Sequence, residues 1–126
     1  MTTACPTKKI LIIKNHDFER ETFAAILAGA GFRTEQAGDA RQAMQRLIAE
    51  KPDLILLDML LPGADDGWSL LNKIRRNPVW RNIPVVIVTG LRFASDEWAR
   101  SLGAVCVLQE PITPDELLKE INREVD

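Results

Sequence analysis

Two cysteines and one histidine are all that the 126-residue chain offers of the residues that most often build metal centres and nucleophilic sites. Cys5 and Cys106 have no metal-ligand spacing. Cys106 lies in an apolar run that reads as a buried strand, so a reducing cytoplasm suits the chain and a disulfide does not. His16, alone in a surface loop, reads as solvated rather than catalytic. No Ser/His/Asp or Cys/His arrangement is evident, and no enzymatic activity is expected. No apolar run reaches membrane-spanning length. The first residues, Met-Thr-Thr-Ala-Cys-Pro-Thr-Lys-Lys, contain no apolar core before Ile10 and are not a secretory signal. A basic excess is also missing, because the formal net charge is −2. Trp68, Trp80 and Trp98 read as packing residues, not as rings interleaved with cations. Neither nucleic acid nor a membrane is therefore an expected partner. Repeats, linkers and low-complexity stretches are absent too, so residues 1–126 read as one domain, with 1–8 as a flexible tail.

What is present is a regular alternation. Four short runs are continuously apolar: Ile10-Leu11-Ile12-Ile13, Leu54-Ile55-Leu56-Leu57, Val85-Val86-Ile87-Val88 and Val105-Cys106-Val107-Leu108. Strands buried on both faces have this composition, which predicts a parallel sheet covered by helices. Phe32–Gln36 reads as a weaker edge strand. Between the runs lie helical stripes: Phe23, Ile26, Leu27 and Ala30; Ala40, Ala43, Met44, Leu47 and Ile48; Leu70, Leu71 and Ile74; Leu117, Leu118, Ile121 and Val125. A shorter helix is expected over Ser95–Leu102, with Trp98 and Leu102 inward. Thr113-Pro114-Asp115-Glu116 is a capping box, and Asp39 with Gln42 forms a similar one. Gly29, Gly31, Gly38 and Gly103 punctuate helix ends and turns.

Five β-α units with right-handed crossovers give an open, doubly wound sheet. Ligands on such sheets bind beyond the carboxyl ends of the strands. Attention therefore falls on Lys14 to Asp17, Asp58, Thr89-Gly90 and Gln109-Glu110. Asp58 ends an apolar strand, where a carboxylate is costly without solvent or a partner. It can be a phosphoryl-accepting nucleophile or simply cap the following turn, and the pattern alone favours the cap. Thr89 can hydrogen-bond a phosphoryl oxygen or serve only as a good strand residue. Leu61-Pro62-Gly63 marks a turn, and Glu110-Pro111 a rigid or cis turn.

Taken together, the blocks Lys-Ile-Leu-Ile-Ile at 9–13, Pro-Asp-Leu-Ile-Leu-Leu-Asp-Met at 52–59, Leu-Pro-Gly at 61–63, Ile-Pro-Val-Val-Ile-Val-Thr-Gly at 83–90, and Gly103-Ala104 with Glu110-Pro111 resemble the receiver domain of two-component response regulators. The resemblance runs from about Lys9 to the end. It implies a flavodoxin-like (βα)5 fold with strand order 2-1-3-4-5. It also implies phosphoryl transfer from a histidine kinase or phosphotransfer protein to Asp58. Mg²⁺ would be held by an acidic pair after the first strand, by Asp58, and by the Leu60 carbonyl. Thr89 and a lysine on the last strand would contact the phosphoryl group, and an aromatic residue on that strand would respond.

Several of those positions are substituted. Lys14 and Asn15 replace the acidic pair, Glu110 replaces the lysine, and Val107 replaces the aromatic residue. The turn Pro62-Gly63-Ala64-Asp65-Asp66-Gly67 is one residue longer than usual. Mg²⁺ favours carboxylate oxygens in octahedral geometry. An ammonium about 4 Å from a cation costs on the order of 4 kcal/mol per unit charge at an effective dielectric near 20. Mg²⁺ is the only cofactor in prospect, and these substitutions argue against it. Asp17 better suits the N-cap of the first helix than metal ligation. The expected arrangement is an exchange of charge, with Lys14 paired to Asp58 in place of the metal. Glu110 then either approaches the same ammonium or points to solvent.

Two functions follow. The first is a stand-alone receiver in a phosphorelay, with Asp58 as phosphoacceptor and output through a downstream protein contacting the last strand and last two helices. The second is a phosphorylation-independent pseudo-receiver acting as an interaction module. Homodimerisation is compatible with both. A flavodoxin-like cofactor carrier would share the fold. Lys14-Asn15-His16-Asp17, however, supplies none of the Gly, Ser or Thr residues of a phosphate cradle.

Overall fold

The computed structural model describes residues 7–62 and 66–125. The elements are β1 (Lys9–Ile13), α1 (Asp17–Gly29), β2 (Arg33–Ala37), α2 (Ala40–Ala49), β3 (Leu54–Asp58), α3 (Gly67–Arg76), β4 (Val85–Thr89), α4 (Asp96–Ser101), β5 (Cys106–Gln109) and α5 (Pro114–Val125). The strands form one parallel sheet, as the apolar runs predict, in the order β2-β1-β3-β4-β5 that the family resemblance implies. Alternate strand residues feed two cores. Leu11, Ile13, Ile55, Leu57, Val85 and Ile87 pack with α2, α3 and Ala99 of α4. Ile10, Ile12, Leu54, Leu56, Val86 and Val88 pack with α1 and α5. Burial on both faces explains why these strands are apolar without alternation.

The register brings the functional ends level. Ile13 pairs with Ala37 and Leu57, Asp58 with Val88, and Thr89 with Gln109. At the opposite end, the Asp53 carboxylate accepts from Lys9 N at 2.8 Å, and Lys9 Nζ meets Glu50 at 3.0 Å. The edge strand β2 is one residue later than expected. The Arg33 amide donates to the Lys8 carbonyl, which starts the ladder at Arg33 and leaves Phe32 to pack beside it. That bond also ties Lys8, expected in the tail, to the sheet. Cys5 and the rest of 1–6 lie outside the described residues, as do Gly63, Ala64 and Asp65 of the lengthened turn.

Helix ends show why some expected boundaries shift. His16, not Asp17, occupies the N-cap of α1, and its side chain makes no capping bond. Asp17 is the first helical residue and pairs with Arg20 at 2.7 Å. Thr113 and Glu116 exchange reciprocal bonds at 3.1 and 3.2 Å, a complete capping box. Asp39 caps Gln42 N at 2.7 Å, but Gln42 reaches back to Gly38 N rather than to Asp39. Ser95 and Leu102 are caps of α4, so only six residues are helical. Ala30 and Ile48, expected inward, are exposed. Ala30 is the C-cap beyond the last helical residue of α1, and Ile48 lies off the buried stripe of Ala40, Ala43 and Leu47.

One glycine is dictated by close approach. A Cβ on Gly67 would lie 2.4 Å from Met59 Cα and 2.8 Å from Asp58 O. Gly67 N donates to Met59 O at 3.1 Å, clamping the start of α3 onto the segment after Asp58. Gly67→Ala is expected to destabilise by about 2–3 kcal/mol, because backbone must move to admit the methyl group. Urea denaturation checks this, and an unchanged midpoint would mean that the two segments separate easily.

Candidate functional site

Lys14 directly follows β1, and its backbone is held on both sides. Its N–H donates to Ala37 O at 3.0 Å, and its carbonyl accepts from Arg20 Nη1 at 2.7 Å. Arg20 is itself fixed by Gln36 and Asp17. The parallel register then lays the Lys14 side chain beside the end of β3. Its Nζ lies 3.5 Å from Asp58 Oδ2, 3.1 Å from Glu110 Oε2 and 3.0 Å from Glu19 Oε2. The Phe23 ring of α1 stands 6.0 Å from the ammonium. The lysine side chain is only 4% exposed, so this ion is desolvated and depends on its three carboxylates. Burial pulls the Lys14 pKa down, but the Glu19 hydrogen bond, the Asp58 charge and Glu110 outweigh it and hold the pKa above its ordinary value. The hydrogen bond from Lys14 correspondingly holds the Glu19 carboxyl below its ordinary range.

The expected Lys14–Asp58 contact is thus present, and Glu110 approaches the same ammonium rather than solvent. Glu19 is the residue that sequence reading missed. An acid in the first turn of a helix is ordinary, because it complements the helix dipole. Nothing in the spacing marks it as a ligand of Lys14. Asn15, by contrast, is exposed.

The remaining site residues have definite neighbours. Asp58 Oδ1 accepts from Leu60 N at 3.0 Å, so Asp58 caps its turn while its other oxygen meets the lysine. Its side chain is 13% exposed. The Leu60 side chain lies in solvent. Thr89 is buried, and its hydroxyl accepts from Leu91 N at 3.1 Å. Val107 is half-buried against the core, its amide donating to Asp96 Oδ1 at 3.0 Å. No ring occupies that strand position.

These donors fit Mg²⁺ poorly. Of the oxygens the metal requires, Asp58 Oδ2 is already committed to an ammonium, and the two positions after β1 supply that ammonium and an exposed amide. A cation entering beside Asp58 must displace a lysine held by three carboxylates.

A second titratable group lies apart from the pocket. Cys106 of β5 and Glu120 and Glu124 of α5 bring their ligand atoms within 4.8 Å of one another. Burial and the nearby Glu120 push the Cys106 thiol pKa up, so it stays protonated and inert. Burial and the Glu120 hydrogen bond raise the Glu124 carboxyl above its ordinary 4.5. A raised acid destabilises the folded chain progressively as pH climbs from the ordinary value through the raised one. Glu124→Gln is therefore expected to increase the melting temperature at pH 7 and leave it unchanged at pH 3. Equal shifts at both values would remove the titration argument.

A doubly wound sheet with a half-buried carboxylate among acids at its strand ends defines a flavodoxin-like α/β protein. Comparison with known proteins narrows the class. The model of the response regulator receiver domain matches residues 10–122. The phosphate regulon transcriptional regulatory protein PhoB of Escherichia coli is 34% identical over 116 residues, 90% of this chain and 50% of PhoB. Protein PilH of Pseudomonas aeruginosa is 30% identical over 90% of this chain and 94% of its own length. Among solved structures, the chemotaxis response regulator CheY4 of Vibrio cholerae superposes with a TM-score of 0.84 at 25% identity, covering 93% of this chain and 98% of CheY4. The chain belongs to the response regulator receiver family of two-component signalling. It spans about half the length of the PhoB relatives and nearly all of PilH. Among the described residues no helix is long and apolar enough to cross a membrane.

Proposed function

We propose that this receiver works as a phosphorylation-independent interaction module, its pocket closed by the Lys14 ammonium instead of a divalent cation. One observation carries the reading: Lys14 Nζ lies within 3.5 Å of carboxylate oxygens from Glu19, Asp58 and Glu110. The ammonium supplies the counter-charge that Asp58 needs, so the fold requires no metal. Glu19 and Glu110 leave the group with two net negative charges, which repel an incoming phosphoryl dianion. Glu110 stands where the family's phosphoryl-binding lysine is expected. The module has no catalytic chemistry of its own under this reading, and its partners are proteins that recognise a fixed conformation.

The second reading is a phosphorelay receiver that takes phosphate on Asp58 from a histidine kinase or phosphotransfer protein. It is favoured by the residual exposure of Asp58 and by Thr89 at the end of the neighbouring strand. Intact-mass measurement after incubation with acetyl phosphate and Mg²⁺ separates the two. The expected result is an unchanged mass. A gain of one phosphate that Asp58→Asn abolishes would replace the fixed module with a switch.

A further inference from the structure

We propose that the groove between α3 and α4 docks an acidic amphipathic helix of a partner protein. The groove has a volume of 470 Å³ and is open to solvent. On α3 it is lined by Trp68, Leu71, Asn72, Arg75 and Arg76, and its other wall includes Leu102. Positions 68, 71, 72, 75 and 76 follow the i, i+3, i+4 spacing of one helical stripe. They span about 12 Å of helix axis, enough to receive roughly two turns of a guest helix.

The surface is apolar beyond what the fold needs. Trp68 packs edge-on against Trp98 at 5.3 Å, and Phe93 against the same Trp98 at 5.4 Å. This ladder of three rings is far from buried: Phe93 is 63% exposed and Trp68 37%. Exposed aromatic rings that touch one another make a ready anchor for apolar side chains.

Charge decides what else the occupant carries. Residues 67–104 hold six basic and two acidic side chains, although the whole chain has a net charge of −2. Composition hides this segregation. Arg75 reaches the carbonyls of Arg81 and Ile83, which do not neutralise it. Arg76, the second arginine of the groove lining, has no carboxylate partner among the described residues. Cations beside an apolar trough complement a helix with acids flanking an apolar stripe. A long nucleic acid is less well matched. The strongly negative remainder of this small domain would repel a polyanion extending past the groove, and the leucine floor makes no use of phosphates. The inference stands apart from the Lys14 pocket and survives either reading of it.

The probe is a synthetic peptide of about 15 residues with leucine on one face and glutamate on the other. Its binding to the whole chain is followed by tryptophan fluorescence. Saturable binding is expected, weakening about tenfold as salt rises from about 20 to 200 mM. Arg76→Glu, at an exposed site, is expected to weaken it by a further factor of about ten and to create binding of the matching lysine peptide. Trp68→Ala should weaken both peptides, with circular dichroism confirming that the variant folds. No saturation by about 1 mM, or equal binding to wild type and Arg76→Glu, overturns the proposal. Tighter binding of oligothymidylate than of the peptide overturns it in favour of nucleic acid. A dimer that Arg76→Glu dissociates overturns it in favour of a second copy.

Discussion

Lys14→Met is expected to destabilise the domain at pH 7 by about 2–3 kcal/mol, with the loss shrinking in acid as pH falls through the depressed Glu19 pKa. Removing one partner of a buried ion group costs about 3–5 kcal/mol, because the charges left behind lose both water and counter-ion. The lower figure applies here because Glu19 and Glu110 are partly exposed, at 43% and 25%, and can turn toward solvent. The pH window follows from the shifts. The Glu19 pKa is lowered from 4.5, so its contribution is present above that value and lost as pH falls through the depressed one. The Lys14 pKa is raised from 10.5, so its contribution is complete below that value and lost only as pH rises past it. Wild type and variant therefore differ most between these limits and converge in acid. Thermal melts at pH 3, 7 and 9 should show a gap of about 10 °C at the two higher values and a smaller one at the lowest. A gap of constant size would mean that lost packing of the lysine stem, not charge, sets the stability.

How much of this was legible in the sequence depends on which force fixed each feature. The continuous apolar runs and the Thr113–Glu116 box are local consequences of burial and capping, so the buried parallel strands and α5 could be read directly, while the strand order came from the family resemblance. The meeting of Lys14 with Asp58 was legible because parallel register carries the residue after Ile13 to the residue after Leu57. Glu19 was not, because its approach depends on how α1 lies over the sheet, which no local spacing records. Ile48 and Ala30 fit a helical stripe as well as their neighbours do. Where the helix ends and which edge of its stripe meets the sheet decide which of these positions reach water, and Ala30 falls past the end of α1. The aromatic ladder escaped because Trp68, Phe93 and Trp98 come from separate segments: the two tryptophans read as packing residues and Phe93 carries no signal until the fold brings the rings together.

The largest functional change is expected from restoring the charge order that the pocket has permuted. The resemblance implies acids after β1 and a lysine after β5, and this chain keeps three carboxylates and one ammonium with the ammonium moved to β1. The double variant Lys14→Asp, Glu110→Lys keeps the total and returns each sign to the other strand. The buried cation beside Asp58 is then gone, and an oxygen donor replaces it at the point where Ile13 pairs with Leu57. One like-charge contact at about 4 Å is on the order of 4 kcal/mol at an effective dielectric near 20, which corresponds to roughly a thousandfold in affinity. Mg²⁺ should therefore bind the double variant at concentrations that leave wild type untouched, read as a change in tryptophan fluorescence. With acetyl phosphate present, Asp58 should gain one phosphate. Lys14→Asp alone should bind the metal yet accept phosphate poorly, because Glu110 still faces the incoming dianion. Val107 stays unchanged in all of these chains, so a missing aromatic switch cannot account for a difference in chemistry among them. A folded double variant without any Mg²⁺ response would show that Lys14 is not what keeps the metal out.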